Sequence, residues 1–343
     1  MLQTKTIDFL RFPLAVGIVL IHADYLNELV GDEKLPVFSI VSTFLSKVLA
    51  VGAVPLFFLF SGFLFFYKVE NFSLGLYKNK LKRRVKSLLI PYVFWNLLTL
   101  IFFFVIQEFY PDLLSGTNKL IKDYNFYDWF SVFWNIHGGN PMSGQLWFIR
   151  DLMVVSLFSP VVWLVVKKFH VFPVCLLGIL WALDFFPSSG ILLAFFFFSL
   201  GAYFSINKRN MVEELKPLLF FSVGVFIACA IIYLWNGWEL VLNFSIIAEI
   251  VILIVLSSYI VQRGIVHSNT FLVNSSFFIY VFHYLPLIFF IKVTVRLFHP
   301  QSEWMFLSIY FLCSIFIVLF ALGVYWCLKK YLPCFTAIIT GNR

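Results

Sequence analysis

Residues 305–328 read MFLSIYFLCSIFIVLFALGVYWCL, and no residue in this stretch is charged. About 20 consecutive apolar residues are enough for a helix to cross the hydrocarbon core of a bilayer. Glu303 lies just before the stretch, and Lys329 and Lys330 follow it directly. The stretch therefore predicts a transmembrane helix with charged residues at both of its ends.

The composition of the 343-residue chain agrees with a membrane protein. Hydrophobic residues make up 62% of the chain and charged residues 12%, and the mean hydropathy is +0.94. Soluble globular proteins average roughly 45–50% apolar and about 25% charged residues, so a soluble enzyme is excluded. The five cysteines have no spacing typical of a zinc site or a disulfide framework, and we expect no bound metal.

Other apolar stretches resemble residues 305–328 and predict further membrane-spanning helices. The predicted spans are residues 8–27, 48–67, 87–107, 146–166, 171–186, 190–206, 217–235, 244–261, 271–291 and 305–328. Inside a bilayer the backbone must satisfy its own hydrogen bonds, so such stretches form helices whatever their β-propensity. We therefore expect an all-α polytopic membrane protein with about ten transmembrane helices, which is one membrane-embedded domain over residues 1–343 with no soluble domain.

The lysine and arginine residues predict the orientation of these helices. Most of the 25 lie in segments on the same side as the N-terminus, including the run from Lys78 to Lys86. Cytoplasmic loops carry an excess of these residues, so we expect both termini in the cytoplasm and the protein in the cell (inner) membrane. The net charge is +8, and the basic residues lie where the topology of a membrane protein predicts them. The charge therefore gives no reason to expect a nucleic acid as partner.

Ionisable residues inside the predicted spans cost about 2.5–3.5 kcal/mol each, and by default they indicate function. They are Arg11, His22, Arg150, Asp151, Glu249 and His283. At about 100° and 1.5 Å per residue, Arg11 and His22 lie on one helix face, about 16 Å apart. That face carries a fixed cation at one end and a titratable base at the other. The alternative is that Arg11 reaches lipid phosphate while His22 bonds a neighbouring carbonyl.

Two stretches between spans one and three also combine polar and apolar residues. The basic run before span three either anchors the topology on anionic lipid or turns Arg84 and Lys86 toward the bundle. Ser61 and Gly62 in span two permit close approach of another helix.

The later spans contain three more features of this kind. Trp147 is typical of the interfacial aromatic belt, and Arg150 and Asp151 either pair or bind separately. Tyr280 and His283 are three residues apart and share a helix face. Glu249 is a lone carboxylate in span eight, for which a neutral, hydrogen-bonded state is the simplest interpretation.

Taken together, these stretches resemble the acyltransferase-3 family of integral membrane acyltransferases. The motifs matched in order are Arg-x10-His at Arg11 and His22, Ser-Gly-Phe at Ser61, Gly62 and Phe63, a basic stretch before a proline at Arg83, Arg84, Lys86 and Pro91, Leu-Trp-Phe at Leu146, Trp147 and Phe148, and Tyr-x-x-His-x-x-Pro at Tyr280, His283 and Pro286. The match covers the whole chain. The family's basic stretch often reads Arg-x-x-Arg, whereas here Lys86 follows Arg83 and Ser87 follows Arg84 at that spacing.

The resemblance implies transfer of a short acyl group, usually acetyl, from acyl-coenzyme A to a hydroxyl of a cell-surface polysaccharide or a lipid-linked precursor. It implies catalytic roles for His22, Arg11, Tyr280 and His283, acyl-CoA binding by Arg11, Arg83, Arg84, Lys86 and Ser61, and acceptor binding by Trp147, Arg150 and Glu249. Acetyl-CoA is then a substrate, and no cofactor is tightly bound. The expected partners are acyl-CoA, the carbohydrate acceptor and membrane lipid, and a homodimer stays open.

Two other classes of function remain open at this point. The first is a transporter or flippase for a glycan or acyl carrier, which would move its substrate without consuming a thioester. The second is a non-catalytic membrane partner of a polysaccharide synthase, in which substitutions of Arg11 and His22 would be tolerated.

Overall fold

The computed structural model describes residues 2–31, 35–111, 119–135, 139–185, 190–266 and 268–342, and these residues form helices and loops with no β-strand among them. The α-helices are α1 (Leu2–Ala23), α2 (Tyr25–Val30), α3 (Pro36–Thr43), α4 (Ala53–Phe66), α5 (Leu74–Arg84), α6 (Ile90–Phe109), α7 (Phe126–Ser131), α8 (Trp147–Leu157), α9 (Ser159–Phe169), α10 (Phe172–Ala182), α11 (Gly190–Ile206), α12 (Met211–Leu215), α13 (Leu219–Asn236), α14 (Glu239–Gln262), α15 (Thr270–Phe282), α16 (Tyr284–Phe298), α17 (Glu303–Tyr331) and α18 (Pro333–Thr340). A π-helical turn at Phe44–Leu49 follows α3 and leads into α4. A second one at Val85–Leu89 joins α5 to α6.

All ten predicted spans coincide with helices, and the chain is a multi-pass membrane protein. Among the described residues, six helical segments are long and apolar enough to cross a membrane, and two bent pairs raise that number to eight. The predicted spans 171–186 and 190–206 correspond to the shorter helices α10 and α11, and residue 186 lies outside the described residues. The count of ten spans and the orientation of the termini therefore stay predictions.

Two of the predicted spans are bent rather than continuous. The axis turns by 63° between α8 and α9, and by 66° between α15 and α16. Pro160 and Pro286 lie just after these breaks. A proline has no N–H to donate to the carbonyl four residues before it, and its ring clashes with that carbonyl, so a helix breaks in this region. The second bend places His283 at its vertex.

Helix α11 packs directly along α4. A Cβ atom at Gly62 would overlap the carbonyl oxygen of Phe198, and one at Gly201 would overlap that of Leu59. Small residues let two helix backbones approach this closely in a membrane, as the Ser-Gly pair of span two predicted.

Helix α1 lies inside the bundle. It contacts α4, α14, α15, α16 and α17, and its residues Leu10, Ala15 and Val19 are buried. Because α1 is continuous from Leu2 to Ala23, it carries Arg11 and His22 on one element, and the helices around it hold several of the other candidate residues, among them Ser61, Glu249 and Tyr280.

Candidate active site

A cavity of about 270 Å³ lies between α1, α4, α8 and α15, at the end of the basic helix α5. Its polar lining residues are Arg11, Ser61, Arg84, Asn274, Ser276 and Tyr280. The remaining lining residues are Phe, Leu and Val, with Phe57, Phe148 and Phe277 among them. The cavity therefore brings together four of the predicted site residues, Arg11, Ser61, Arg84 and Tyr280, from four different helices.

Two guanidinium groups make one part of this cavity cationic. Arg11 Nη1 lies 3.3 Å from Asp8 Oδ1 one helical turn earlier. Arg84 lies over the ring of Phe65, with its guanidinium carbon 5.4 Å from the ring centroid. Two guanidinium groups beside one carboxylate leave an excess of positive charge, which suits an anionic ligand such as a phosphate.

The basic residues beside Arg84 have a different environment. Arg83 and Lys86 are exposed, and neither lines the cavity. The departure from Arg-x-x-Arg therefore leaves Arg84 as the residue of this run that joins Arg11 in the cavity wall, while the other two lie at the protein surface.

Tyr280 connects the cavity to the bend between α15 and α16. Its buried hydroxyl donates a 2.5 Å hydrogen bond to the carbonyl oxygen of Gln145, and its ring packs edge-on against Phe148. The centroid of its ring lies 6.5 Å from that of His283, as expected for two residues on one helix face.

The hydrogen bonds of His283 define its tautomer. Nδ1 lies 2.8 Å from the carbonyl oxygen of Tyr280 and 3.0 Å from that of Ile279. A carbonyl oxygen only accepts, so Nδ1 must carry the proton. Nε2 then has a free lone pair, and this buried atom has no hydrogen-bond partner among the described residues. His283 therefore offers one unused acceptor inside the bundle.

His22 lies against His283 at the bend. The ring centroids of His22 and His283 are 5.2 Å apart, and the ring of Tyr284 packs edge-on against His22 at 4.8 Å. His22 is only partly buried. The rings of Tyr280, His283 and His22 thus form a series that starts at the cavity wall and ends at a partly buried imidazole, and neither histidine lines the cavity itself.

The turn of α1 that carries His22 is fixed by side chains from other elements. The carbonyl oxygen of Leu20 accepts hydrogen bonds from Ser46 Oγ at 2.9 Å and from the hydroxyl of Tyr310 at 3.2 Å. The two hydroxyl oxygens also lie 2.8 Å apart, and since each hydroxyl carries one proton, only two of these three hydrogen bonds form at one time. Since α1 ends at Ala23, these bonds satisfy a carbonyl near the helix end and hold the last turn in place.

The predicted acceptor-binding residues Trp147 and Arg150 lie near the cavity but do not line it. Arg150 Nε pairs with Asp151 Oδ1 at 2.7 Å, and its guanidinium lies over Trp134 and bonds the carbonyl oxygen of Gly139. Arg150 thereby ties the loop before α8 to that helix. The ring of Trp147 packs near Phe58, with centroids 6.4 Å apart.

Glu249, the third predicted acceptor-binding residue, is buried between α14 and the start of α4. Its Oε2 accepts a 3.0 Å hydrogen bond from the backbone N–H of Gly52, and a side chain at Gly52 would collide with the carboxyl group. These contacts are the ones expected of a structural carboxyl group, and Glu249 does not line the cavity, so its role in acceptor binding stays a prediction.

Several polar residues around the site were not singled out by sequence reasoning. Gln145 bonds the carbonyl oxygen of Val281 through Nε2 at 3.0 Å and accepts from Ser143 at 3.1 Å, so it joins the loop before α8 to α15. Asn274 lines the cavity, and Tyr284 packs on His22. Tyr284 lies inside the Tyr-x-x-His-x-x-Pro motif and Gln145 directly precedes Leu-Trp-Phe, and a neutral polar residue in or beside an apolar motif was the signal that could have identified them.

Comparisons with known proteins identify the same kind of chain as the motifs. A family model described as an acyltransferase domain matches residues 4–326. The succinoglycan biosynthesis protein ExoH of Rhizobium meliloti (strain 1021) is 24% identical over 363 residues, covering 98% of this chain and 92% of the relative. No solved structure matches the chain.

Proposed function

Because this chain belongs to the acyltransferase-3 family and is therefore an acyltransferase, we propose that it moves an acetyl or other short acyl group from acyl-coenzyme A to a carbohydrate hydroxyl. The acceptor in this proposal is a cell-surface polysaccharide or its lipid-linked precursor. The name of the rhizobial relative, a protein of succinoglycan biosynthesis, supports a polysaccharide of this kind.

The cationic part of the cavity is the proposed donor site. Arg11 and Arg84 bind phosphate groups of coenzyme A, since guanidinium groups match phosphate oxygens in geometry and charge. The cavity of about 270 Å³ is smaller than the roughly 300–1,000 Å³ typical of pockets for whole small molecules. It encloses the pantetheine arm and acyl group in this proposal, with Ser61 beside the arm and Arg83 and Lys86 attracting the nucleotide at the surface.

The observation that carries the proposal is that Arg11, Arg84 and Tyr280 line one cavity. The ring of Tyr280 neighbours that of His283, which in turn packs against His22. Arg11 and His22 are separated by about 16 Å of helix rise, which is comparable to the length of a pantetheine arm. With the N-terminus in the cytoplasm, as proposed, the cations face the compartment that supplies acyl-CoA.

His22 acts as the general base in the proposed reaction. A ring nitrogen of His22 accepts the proton of the acceptor hydroxyl while that oxygen attacks the thioester carbonyl carbon. The tetrahedral intermediate collapses with cleavage of the C–S bond, and the proton on His22 passes to the departing thiolate. The products are the acyl ester and free coenzyme A. An acyl-histidine relay through His22 is the alternative route to the same products.

Tyr280 and His283 are the proposed positioning groups. The proton of Tyr280 is already donated to Gln145, and Nε2 of His283 is an acceptor. Neither group donates to an oxyanion in this arrangement. We assign His283 Nε2 to orienting the N–H of His22 or the acceptor hydroxyl, and Tyr280 to holding the bend. Trp147 remains the proposed stacking platform for the acceptor sugar.

Mass spectrometry of the cell-surface glycan tests this function. Cells with the protein should carry a short acyl ester on the glycan, and cells without it should lack that mass increment. Complementation with the wild-type chain should restore the increment, and complementation with Arg11→Ala should not. An unchanged glycan in cells without the protein would contradict the proposal.

A further inference from the structure

A groove of about 420 Å³ lies beside the candidate active site, between α6 and the bend that joins α15 to α16. The α6 wall consists of Trp95, Leu98, Thr99, Phe102 and Ile106. Their spacing of three and four residues puts them on one helix face, which runs for about 16 Å along the axis. Leu98 and Phe102 are 43% and 40% exposed, whereas Trp95 and Thr99 on the same face are buried, so the groove is open beside Leu98 and Phe102.

The second wall of the groove is built by the bend itself. Phe282, Leu285, Pro286 and Phe289 line the groove on both sides of the vertex, while His283 at the vertex is fully buried and packs on His22. This wall follows the chain through the 66° turn. Both walls belong to membrane-spanning segments, so the groove opens toward lipid hydrocarbon.

One part of the groove is polar, and it lies next to the reactive rings. Ser143 and Gln145 line the groove and are both buried. Gly144 between them faces Tyr284, such that a Cβ atom at Gly144 would lie 3.8 Å from the tyrosine hydroxyl. Tyr284 in turn packs on His22. A three-residue segment therefore separates the groove from the ring against which His22 packs.

We propose that this groove binds the hydrocarbon chain of a lipid-linked saccharide whose sugar is the acyl acceptor. This inference rests on the proposed function and names the form in which the acceptor arrives. The apolar walls suit a long chain that enters sideways from the bilayer. The head group then lies beside the Ser143–Gln145 segment, which places the attached sugar close to His22. A membrane phospholipid would occupy the walls equally well, but it has no acceptor sugar to present.

The test compares two acceptors that share one saccharide-phosphate head, the first on a long isoprenoid chain and the second on a chain of two isoprene units. The KM of the wild-type protein should be at least about 10-fold lower for the long-chain acceptor. Leu98→Trp and Phe289→Trp fill the groove from opposite walls, and each should raise that KM toward the short-chain value. The KM for acetyl-CoA and the turnover of the short-chain acceptor should stay unchanged.

Ile101→Trp is the matched control, because Ile101 lies on α6, is 58% exposed and does not line the groove. It should leave both KM values at wild-type levels. Equal KM values for the two acceptors in the wild-type protein would overturn the proposal. So would an equal effect of Leu98→Trp and Ile101→Trp, or a Leu98→Trp variant that changes the oligomeric state and leaves the chain-length preference intact, since the groove would then be an interface between copies.

A binding measurement tests the groove without depending on turnover. A photoreactive long-chain acceptor should label groove peptides of the wild-type protein and label Leu98→Trp several-fold less, with the unlabelled long-chain acceptor as competitor. Absence of coenzyme A release with every acceptor would contradict the proposed function, and the labelling would still decide the groove. Labelling that a plain phospholipid displaces equally well would overturn the specific occupant.

Discussion

Arg83 and Arg84 are neighbours in the chain, yet only Arg84 lines the cavity with Arg11. We expect Arg84→Ala to raise the KM for acetyl-CoA by about 10- to 100-fold, since a hydrogen bond to a charged group contributes about 1.5–3 kcal/mol. Arg83→Ala removes the same charge at the surface and should change this KM by less than about 3-fold. Steady-state kinetics of the two purified variants measure the difference, and equal effects would argue against the cavity as donor site.

Substitutions of Glu249 distinguish a structural role of its carboxyl group from a role in acceptor binding. Its contact with the N–H of Gly52 requires only an oxygen acceptor, which an amide also provides. We therefore expect Glu249→Gln to fold and to keep the KM for the acceptor within about 3-fold of wild type. Glu249→Ala leaves the buried N–H without a partner, at a cost of about 1–3 kcal/mol, and should unfold at lower temperature. If Glu249→Gln strongly raised the KM for the acceptor, that result would support the predicted role of Glu249 in acceptor binding.

At the scale of helices, the contact between α4 and α11 depends on residues without side chains. Gly201→Ala would push a Cβ atom into the backbone of α4, and overpacking of this kind costs about 1–3 kcal/mol. Gly224→Ala in α13 is the matched control, because no atom of the described residues outside its own helix lies within 4 Å of the added Cβ. Thermal unfolding in detergent should show a lower Tm for Gly201→Ala alone. Equal Tm values for the two variants would contradict the close contact.

The bent helices show where prediction from sequence stopped. The apolar runs at 146–166 and 271–291 predicted helices, and helices are present there. Pro160 and Pro286 were visible in the sequence, but the size and direction of each turn depend on the helices packed around it. The turn between α15 and α16 matters for the site, because His283 at this turn packs against His22 and the residues around it form one wall of the groove.

At the scale of the whole molecule, hydropathy predicted the helices in the ten apolar stretches because the requirement for backbone hydrogen bonds in lipid is local. It did not predict the helices outside those stretches, such as the basic helix α5. Ionisable residues in spans drew attention to Arg11, His22 and His283 for the same reason, since their cost is local as well. Which of these residues meet is a tertiary property. The packing of the helices decides that Arg84 lines the cavity while Arg83 does not. It also decides that Glu249 contacts Gly52 instead of the cavity.

The central claim is that His22 drives transfer from acyl-CoA, and thiol release from purified protein in proteoliposomes tests it most directly. With acetyl-CoA and a saccharide acceptor, the wild-type protein should release coenzyme A at a rate that depends on the acceptor. His22→Ala should lower that rate by about 10²- to 10⁴-fold, the usual range for loss of a general base, with an unchanged Tm. His299→Ala, at an exposed histidine beyond the end of α16, should have no effect. Equal release by His22→Ala and wild type, or acceptor movement without any release of coenzyme A, would contradict the claim.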